Sequence, residues 1–127
     1  MKSLRHVLAL LALLLSVGNA HALNIQPYSP AALQTAQQAG QPVALHFHAD
    51  WCSVCRAQDK VFQSLKGDAS LPLTLLVVNY DQERELRRAL KVRAQSTLIV
   101  YRGNQETRRS GGETEAAALR GALKSAL

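Results

Sequence analysis

Apolar positions in the middle of the chain predict a strand, a helix and a second strand. Val43 to Ala49 alternates and is rich in strand-forming residues, which is typical of a β-strand. Leu73 to Val78 is a continuous apolar run, as expected for a strand buried on both faces. Between them, apolar residues from Val54 to Leu65 recur at helical spacing, and Gly67 can end that helix. The three segments together predict a right-handed βαβ unit.

Three further helices are predicted outside this unit. Ser29 before Pro30 suits a helix start, and that helix is expected to run from Ala31 to Ala39. Asp81 can cap a second helix, which has a narrow apolar stripe on one side and a basic stripe on the other. The apolar stripe contains Leu86, Ala89 and Leu90, and the basic one contains Arg84, Arg87, Arg88 and Lys91. A last helix is expected to turn Leu119, Leu123 and Leu127 to one side.

A hairpin completes the predicted order of elements. Thr97 to Tyr101 reads as a strand, and Gly103 and Asn104 suit a two-residue turn into a second strand, Gln105 to Arg109. The order along the chain is then α-β-α-β-α-β-β-α. This order predicts an α/β protein.

The first 22 residues have the composition of a cleavable secretory signal peptide. Lys2 and Arg5 give a basic start, Val7 to Val17 is an uncharged apolar run of 11 residues, and Ala20-His21-Ala22 is an A-x-A cleavage site. The run falls well short of the roughly 20 residues that a membrane-spanning helix needs. We therefore expect a mature domain of residues 23–127 that is not inserted in the membrane.

The composition of this mature segment suits one ordinary domain. Its 105 residues are enough for a single apolar core. Loss of Lys2 and Arg5 leaves 13 basic residues against 9 acidic ones, a net charge of +4 that favours no particular partner. The arginine-rich stripe is typical of a solvated helix face. It lacks the interleaved aromatic residues of a single-stranded nucleic-acid surface, so nucleic acid is not an expected partner.

The only two cysteines, Cys52 and Cys55, directly follow the only tryptophan, Trp51, in the stretch ADWCSVCRAQD. A disulfide staple, a metal clamp and a redox couple are the three roles open to such a pair. A staple is the weakest, because a bridge across two residues closes a tiny loop and constrains the unfolded chain little. Cys52 is predicted at a helix N-terminus and Cys55 within the first turn.

This arrangement resembles the thioredoxin fold. ALHFHADWCSVC is similar to the thioredoxin strand and W-C-x-x-C loop, VVNYDQERELRRALKVRAQSTLIVYRGNQE to the segment through the last hairpin, and SGGETEAAALRGAL to the closing helix. ADWCSVCR is especially similar to the C-terminal domain of the transmembrane thiol-disulfide interchange reductases. The resemblance covers nearly all of residues 23–127. It implies a thioredoxin fold, with a central mixed β-sheet of about four strands flanked by helices, and thiol-disulfide oxidoreductase activity.

Physical arguments assign separate roles to the two cysteines. Only a thiolate attacks a disulfide, and the free N–H groups of a helix N-terminus stabilise negative charge on Cys52. Cys52 is therefore the expected nucleophile. Two intervening residues place Cys55 about one helical turn further, within reach of the same sulfur. Cys55 is expected to resolve the mixed disulfide after it loses its proton.

The resemblance also implies roles for neighbouring residues. His46 stands where thioredoxins have a buried acid in the preceding strand, so it is the candidate proton acceptor for Cys55. A core histidine with one satisfied hydrogen bond is the alternative. Trp51 offers a flat apolar surface to a peptide substrate. His48 is expected to pack while partly exposed, and Asp50 is expected at the rim.

The chain departs from the thioredoxin pattern at Ser96. Thioredoxins have a cis-proline beside the cysteines, whereas this chain reads Gln95-Ser96-Thr97. A cis bond before a non-proline residue costs about 2.5–4 kcal/mol, which favours a trans peptide, and a cis peptide held under strain is the alternative. We assign Gln95 and Ser96 to the substrate-binding loop. The N–H and hydroxyl of Ser96 are expected to be available to a thiolate, which would make the couple more oxidising.

The leading interpretation is an exported, periplasmic thiol-disulfide oxidoreductase of the protein-disulfide reductase type, which needs no cofactor. The resemblance implies protein disulfides and a membrane-embedded electron donor as partners. One alternative is a copper carrier that uses Cys52, Cys55 and His46 as soft ligands. Another is a binding module with a thioredoxin fold, in which the cysteines have no redox role.

Overall fold

Residues 22–127, the part of the chain that the computed structural model describes, form five strands and four helices. In chain order they are β1 (Asn24–Pro27), α1 (Pro30–Gln38), β2 (Pro42–His48), α2 (Ser53–Leu65), β3 (Thr74–Asn79), α3 (Arg84–Leu90), β4 (Thr97–Arg102), β5 (Gln105–Gly111) and α4 (Ala116–Lys124). The signal-peptide prediction lies outside these residues, apart from Ala22. Within them, no helix has the length and apolar character needed to cross a membrane.

The strands form one mixed sheet in the order β1-β3-β2-β4-β5. Both β1 and β2 pair with β3 in parallel, whereas β4 is antiparallel to β2 and to β5. The predicted βαβ unit and the mixed sheet flanked by helices are therefore confirmed. The expected strand count of about four was one short, because β1 is only four residues long and has no alternating apolar pattern.

Helices cover both faces of the sheet, which leaves β2 buried at its centre. On one face, α2 and α4 supply Phe62, Leu119 and Leu123 to a core that includes Ala44, Leu75 and Leu98. On the other face, α1 and α3 supply Leu33, Leu86 and Leu90 to a core that includes Leu45, Phe47 and Ile99. Because side chains alternate along a strand, His46 lies on the α2 face, as Ala44 does. The end of β2 thus leads directly to the start of the cysteine helix.

The helix starts follow from local chemistry, with one correction to the prediction. Ser29 Oγ accepts a hydrogen bond from the Ala32 N–H at 3.0 Å and so caps α1, as expected. Asp81 does not cap α3, since Glu83 occupies the N-cap position without a side-chain bond. Asn79 Oδ1 instead accepts from the N–H groups of Asp81 and Gln82 at 3.1 Å each, which leaves the Asp81 carboxylate free for another partner.

The apolar side of α4 also differs from the prediction at its end. Leu119 and Leu123 are fully buried, whereas Leu127 lies beyond the helix and is 44% exposed. Ala126 is buried in the core in its place. The helical stripe therefore ends one turn earlier than the leucine spacing indicates.

Candidate active site

Cys52 occupies the N-cap position of α2, directly after the loop that follows β2. Its Sγ accepts a hydrogen bond from the Cys55 backbone N–H at 3.1 Å. Its own N–H donates to Ala49 O at 3.0 Å, which fixes the loop. Only 6% of the residue is exposed. The residue is therefore nearly buried, and its sulfur lies where backbone N–H groups stabilise a thiolate.

Cys55 lies in the first turn of α2 and is completely buried. Its Sγ is 3.9 Å from Phe47 O. Burial raises the pKa of the Cys55 thiol to about 11 and the hydrogen bond with Cys52 raises it too, whereas backbone hydrogen bonds from Ala49 and Ser96 partly lower it. Both cysteines are free thiols. In the dithiol form Cys55 therefore holds its proton at neutral pH.

A buried glutamine, Gln58, connects the cysteine helix to three other segments of the fold. Its Oε1 lies 2.9 Å from His46 Nε2, in β2. Its Nε2 donates to Ser96 O at 3.0 Å, before β4, and to Glu113 O at 2.9 Å, before α4. His46 and Gln58 are both almost completely inaccessible to solvent. One side-chain amide therefore holds together the segments that surround the cysteines.

The hydrogen bonds of Gln58 determine which nitrogen of His46 carries the proton. Because the amide nitrogen donates to two carbonyl oxygens, Oε1 faces the imidazole, and an amide oxygen only accepts. Nε2 of His46 is therefore protonated, and Nδ1 has the free lone pair. Nδ1 is buried without a hydrogen-bond partner among the described residues. Burial lowers the pKa of His46 to about 4, so the ring is neutral at pH 7.

Gln58 was not among the predicted site residues, although the sequence contains a signal for it. It lies three residues after Cys55 and four before Phe62, both fully buried, so helical spacing places it on the same inward face. A polar residue in such a stripe needs internal hydrogen-bond partners. Its partners come from distant segments, which the helix pattern alone does not identify.

Ser96 takes an unusual backbone conformation beside the cysteines. The peptide before it is trans, as expected, and its φ is 64°, in the left-handed region. Its N–H donates to Phe47 O at 2.8 Å and also lowers the Cys55 pKa. Its hydroxyl donates to Gln95 O. The N–H and the hydroxyl of Ser96 were both expected to stabilise a thiolate. The N–H lowers the pKa of Cys55, whereas the hydroxyl is bonded to the carbonyl of Gln95.

The rim of the site presents Trp51, which is 61% exposed. The indole Nε1 donates to Asp81 Oδ2 at 2.8 Å, so the loop between β3 and α3 fixes the ring beside Cys52. His48 is partly exposed, and its Nε2 lies 3.0 Å from Oδ1 of the fully exposed Asp50. These positions agree with the packing and rim placements predicted for His48 and Asp50.

The copper-carrier alternative receives no support from the geometry. Within residues 22–127, no group of three or more His, Cys, Asp or Glu side chains is placed to hold a metal ion. His46 directs its Nε2 to Gln58, and His48 directs its Nε2 to Asp50.

Comparison with known proteins agrees with this geometry. Residues 27–125 match the family model described as Thioredoxin. The crystal structure of Trxlp from Edwardsiella tarda is 42% identical, with a TM-score of 0.74 over 79% of this chain and 98% of that one. The thiol:disulfide interchange protein DsbD of Klebsiella pneumoniae is 33% identical over 99 residues, which are 70% of this chain and 16% of DsbD. The bifunctional thioredoxin reductase/thioredoxin of Mycobacterium leprae is 28% identical over 81 residues, which are 64% of this chain and 18% of that protein.

The fold and the cysteine pair define a thiol-disulfide oxidoreductase of the thioredoxin type. The chain belongs to the thioredoxin family. It spans less than a fifth of DsbD and of the Mycobacterium leprae protein, since the matches cover 16% and 18% of their lengths.

Proposed function

We propose that the protein is an exported protein-disulfide reductase, which transfers two electrons from the Cys52 and Cys55 thiols to disulfides of other proteins. The placement of Cys52 at the N-cap of α2, with its Sγ accepting the Cys55 N–H, carries the proposal. A thiolate in this position is stabilised by the helix N-terminus.

The reaction proceeds in two exchanges. The Cys52 thiolate attacks one sulfur of the partner's disulfide, that bond breaks, and a Cys52–partner disulfide forms while the other partner sulfur leaves and takes up a proton. Cys55 then loses its proton and attacks Cys52 Sγ. The mixed disulfide breaks, the Cys52–Cys55 disulfide forms, and the partner leaves with two thiols.

His46 is proposed as the acceptor of the Cys55 proton, through Nδ1. In the dithiol form this transfer is strongly unfavourable, because burial raises the pKa of Cys55 to about 11 and lowers the pKa of His46 to about 4. Formation of the mixed disulfide removes the Cys52 thiol, which contributes to that high pKa. The proton transfer therefore belongs to the second exchange. A His46→Gln variant should resolve the mixed disulfide at least about tenfold more slowly; an unchanged rate would leave His46 with a packing role only.

The residues proposed to contact the substrate surround Cys52. Trp51 presents an exposed indole face beside the nucleophile. Gln95 and Ser96 form the loop beside the buried Cys55, whose pKa the Ser96 N–H lowers. An extended substrate segment is expected to contact both.

A periplasmic location and a membrane-embedded electron donor complete the proposal. The composition of residues 1–22 supports export, and the similarity to part of DsbD supports a donor of this kind. The protein recovered from the periplasm should begin at Leu23. Recovery in the cytoplasm with Lys2 and Arg5 still present would contradict the export.

The equilibrium between dithiol and disulfide in glutathione buffers tests the direction of electron transfer. Fluorescence of Trp51, the only tryptophan, provides the readout. A reductase is expected near the thioredoxin potential of about −270 mV, and a value near about −120 mV would indicate an oxidase instead. Cys55→Ser should accumulate the mixed disulfide, whereas Cys52→Ser should be inactive. Full biological function of Cys52→Ser would indicate a redox-inert binding module.

A further inference from the structure

Basic side chains are concentrated along one side of the molecule. Residues 22–127 contain 13 Lys and Arg and 9 Asp and Glu. Two adjoining cavities, of about 370 Å³ along α3 and about 320 Å³ towards β5, share Lys91 to Arg93 in their walls. The basic residues that line them are Arg84, Arg87, Arg88, Lys91, Arg93 and Arg109, and we call this surface the basic groove.

Within residues 22–127, two carboxylates form ion pairs with these six basic side chains. Glu85 lies 2.8 Å from Arg88, and Glu106 lies 2.7 Å from Arg109. With both carboxylates included, the basic groove carries four net positive charges. The other seven basic and seven acidic residues of 22–127 balance one another. The groove is therefore richer in positive charge than the rest of residues 22–127.

The basic groove adjoins the cysteine pair through Tyr80. The guanidinium of Arg87 lies 3.9 Å from the centre of the Tyr80 ring, a cation–π contact. Tyr80 packs against the cluster formed by Cys52, Cys55 and Ala49. Its hydroxyl donates to Arg93 O at 3.2 Å. A single side chain thus separates the groove from the reactive thiols.

We infer that the basic groove binds an acidic segment of the protein whose disulfide is exchanged at Cys52. This inference rests on the proposed function and names the chemistry of its partner. The two concavities admit carboxylate side chains of an extended chain, whereas a bilayer surface is flat. Complementary charge of this kind mainly increases the rate of encounter, and added salt weakens it.

The test measures how fast the reduced protein is oxidised by two peptide disulfides. The peptides differ only outside the disulfide loop, where one has Glu at several positions and the other has Gln. Stopped-flow fluorescence of Trp51 follows the reaction. The Glu peptide is expected to react about tenfold faster at an ionic strength of about 20 mM, with the advantage lost at about 0.5 M.

Matched charge variants locate this effect on the surface. Arg84→Gln combined with Lys91→Gln removes two of the groove's charges and is expected to slow the Glu peptide about threefold to tenfold. The Gln peptide should change less than about twofold. Lys66→Gln combined with Lys124→Gln makes the same change in net charge at exposed residues outside the groove, and should leave both rates nearly unchanged.

The outcomes separate the inference from the proposed function. Hydroxyethyl disulfide, a small neutral substrate, reports the reactivity of Cys52 alone. Equal rates for the two peptides, with normal reaction of the small substrate, would overturn the groove as a docking surface. No reaction with any disulfide would overturn the proposed function itself. An equal loss of reaction rate with the Glu peptide in the two double variants would show that overall charge, and not the groove, causes the preference. Binding to phosphatidylglycerol vesicles without any peptide preference would assign the groove to membranes instead.

Discussion

His46 is a buried imidazole that is neutral in the folded protein, so folding stability depends on its titration. Its pKa is about 4 when folded, against about 6.5 in an unfolded chain. As pH falls, the unfolded chain binds this proton first, so stability is full above about pH 6.5 and decreases towards pH 4. The loss is on the order of 3 kcal/mol. Urea unfolding at a series of pH values should show this decrease in stability in the wild type and not in His46→Gln. An equal decrease in both proteins would contradict the role of His46.

Loss of the Gln58 side-chain amide should lower stability without altering either cysteine. In Gln58→Leu, His46 Nε2–H and Glu113 O lose their partner inside the protein, and Ser96 O keeps only the Gly112 N–H. Each unsatisfied buried group costs about 1–3 kcal/mol, so a loss of roughly 2–4 kcal/mol is expected in urea unfolding.

Gln63→Leu, on the exposed side of the same helix, is the matched control for this measurement. It should change stability by less than about 0.5 kcal/mol. Similar losses in the two variants would show that the hydrogen bonds of Gln58 contribute little.

Ser96 has a backbone conformation that proline cannot adopt. Its φ is 64°, whereas the proline ring fixes φ near about −65°. Ser96→Pro also removes the N–H that is bonded to Phe47 O. A loss of more than about 2 kcal/mol is expected in urea unfolding. Unchanged stability would mean that the loop readily adopts the thioredoxin conformation, and the glutathione equilibrium would then show the effect of that change on the couple.

Among the elements, α4 is joined to the loop after α2 by one ion pair. Arg120 Nη1 lies 2.6 Å from Asp68 Oδ2. This hydrogen bond, with those from Ser70, lowers the Asp68 pKa to about 2. Because the carboxylate form is favoured when folded, its contribution is present above about pH 4 and is lost as pH falls towards 2. Arg120→Gln should weaken this acid dependence in thermal unfolding. Arg108→Gln, an exposed control, should retain it.

Elements with a clear local pattern were predicted, apart from the end of α4, whereas β1 and the partner of Asp81 were missed because they depend on distant contacts. The strand, helix and strand around Cys52 follow from alternation and helical spacing, and so does the N-cap position of the cysteine. The short β1 exists because β3, about fifty residues later, supplies its hydrogen bonds. Asp81 bonds to Trp51 rather than to its own helix. Local sequence does not contain these tertiary contacts.

The residues of the candidate site also divide into those that the sequence predicts and those that depend on contacts between distant segments. Cys52, Cys55 and Trp51 were predicted from the order of strands and helices around them and from the resemblance of this stretch to the thioredoxin W-C-x-x-C loop. The positive φ of Ser96 and the three partners of Gln58 required the loop before β4 to be placed against α2. The roles of Ser96 and Gln58 in the site therefore depend on the packed fold and cannot be predicted from one segment of the sequence.

At the scale of the whole molecule, two acid-sensitive groups act over successive ranges. The contribution of His46 is lost between about pH 6.5 and 4, and that of Asp68 between about pH 4 and 2. His46 lies between the sheet and α2, and Asp68 joins the loop after α2 to α4. Stability should therefore decrease over a broad acid range rather than in one step.

The two outer strands of the sheet have a further consequence for association between molecules. A sheet edge recruits another chain by backbone pairing when it is long, regular and uncharged. At one edge, β1 is four residues long and ends in Pro27. At the other, β5 carries Glu106, Arg108 and Arg109 and has a register shift against β4. Both edges thus discourage cross-β growth and strand addition, so copies of the protein are not expected to associate by extending the sheet.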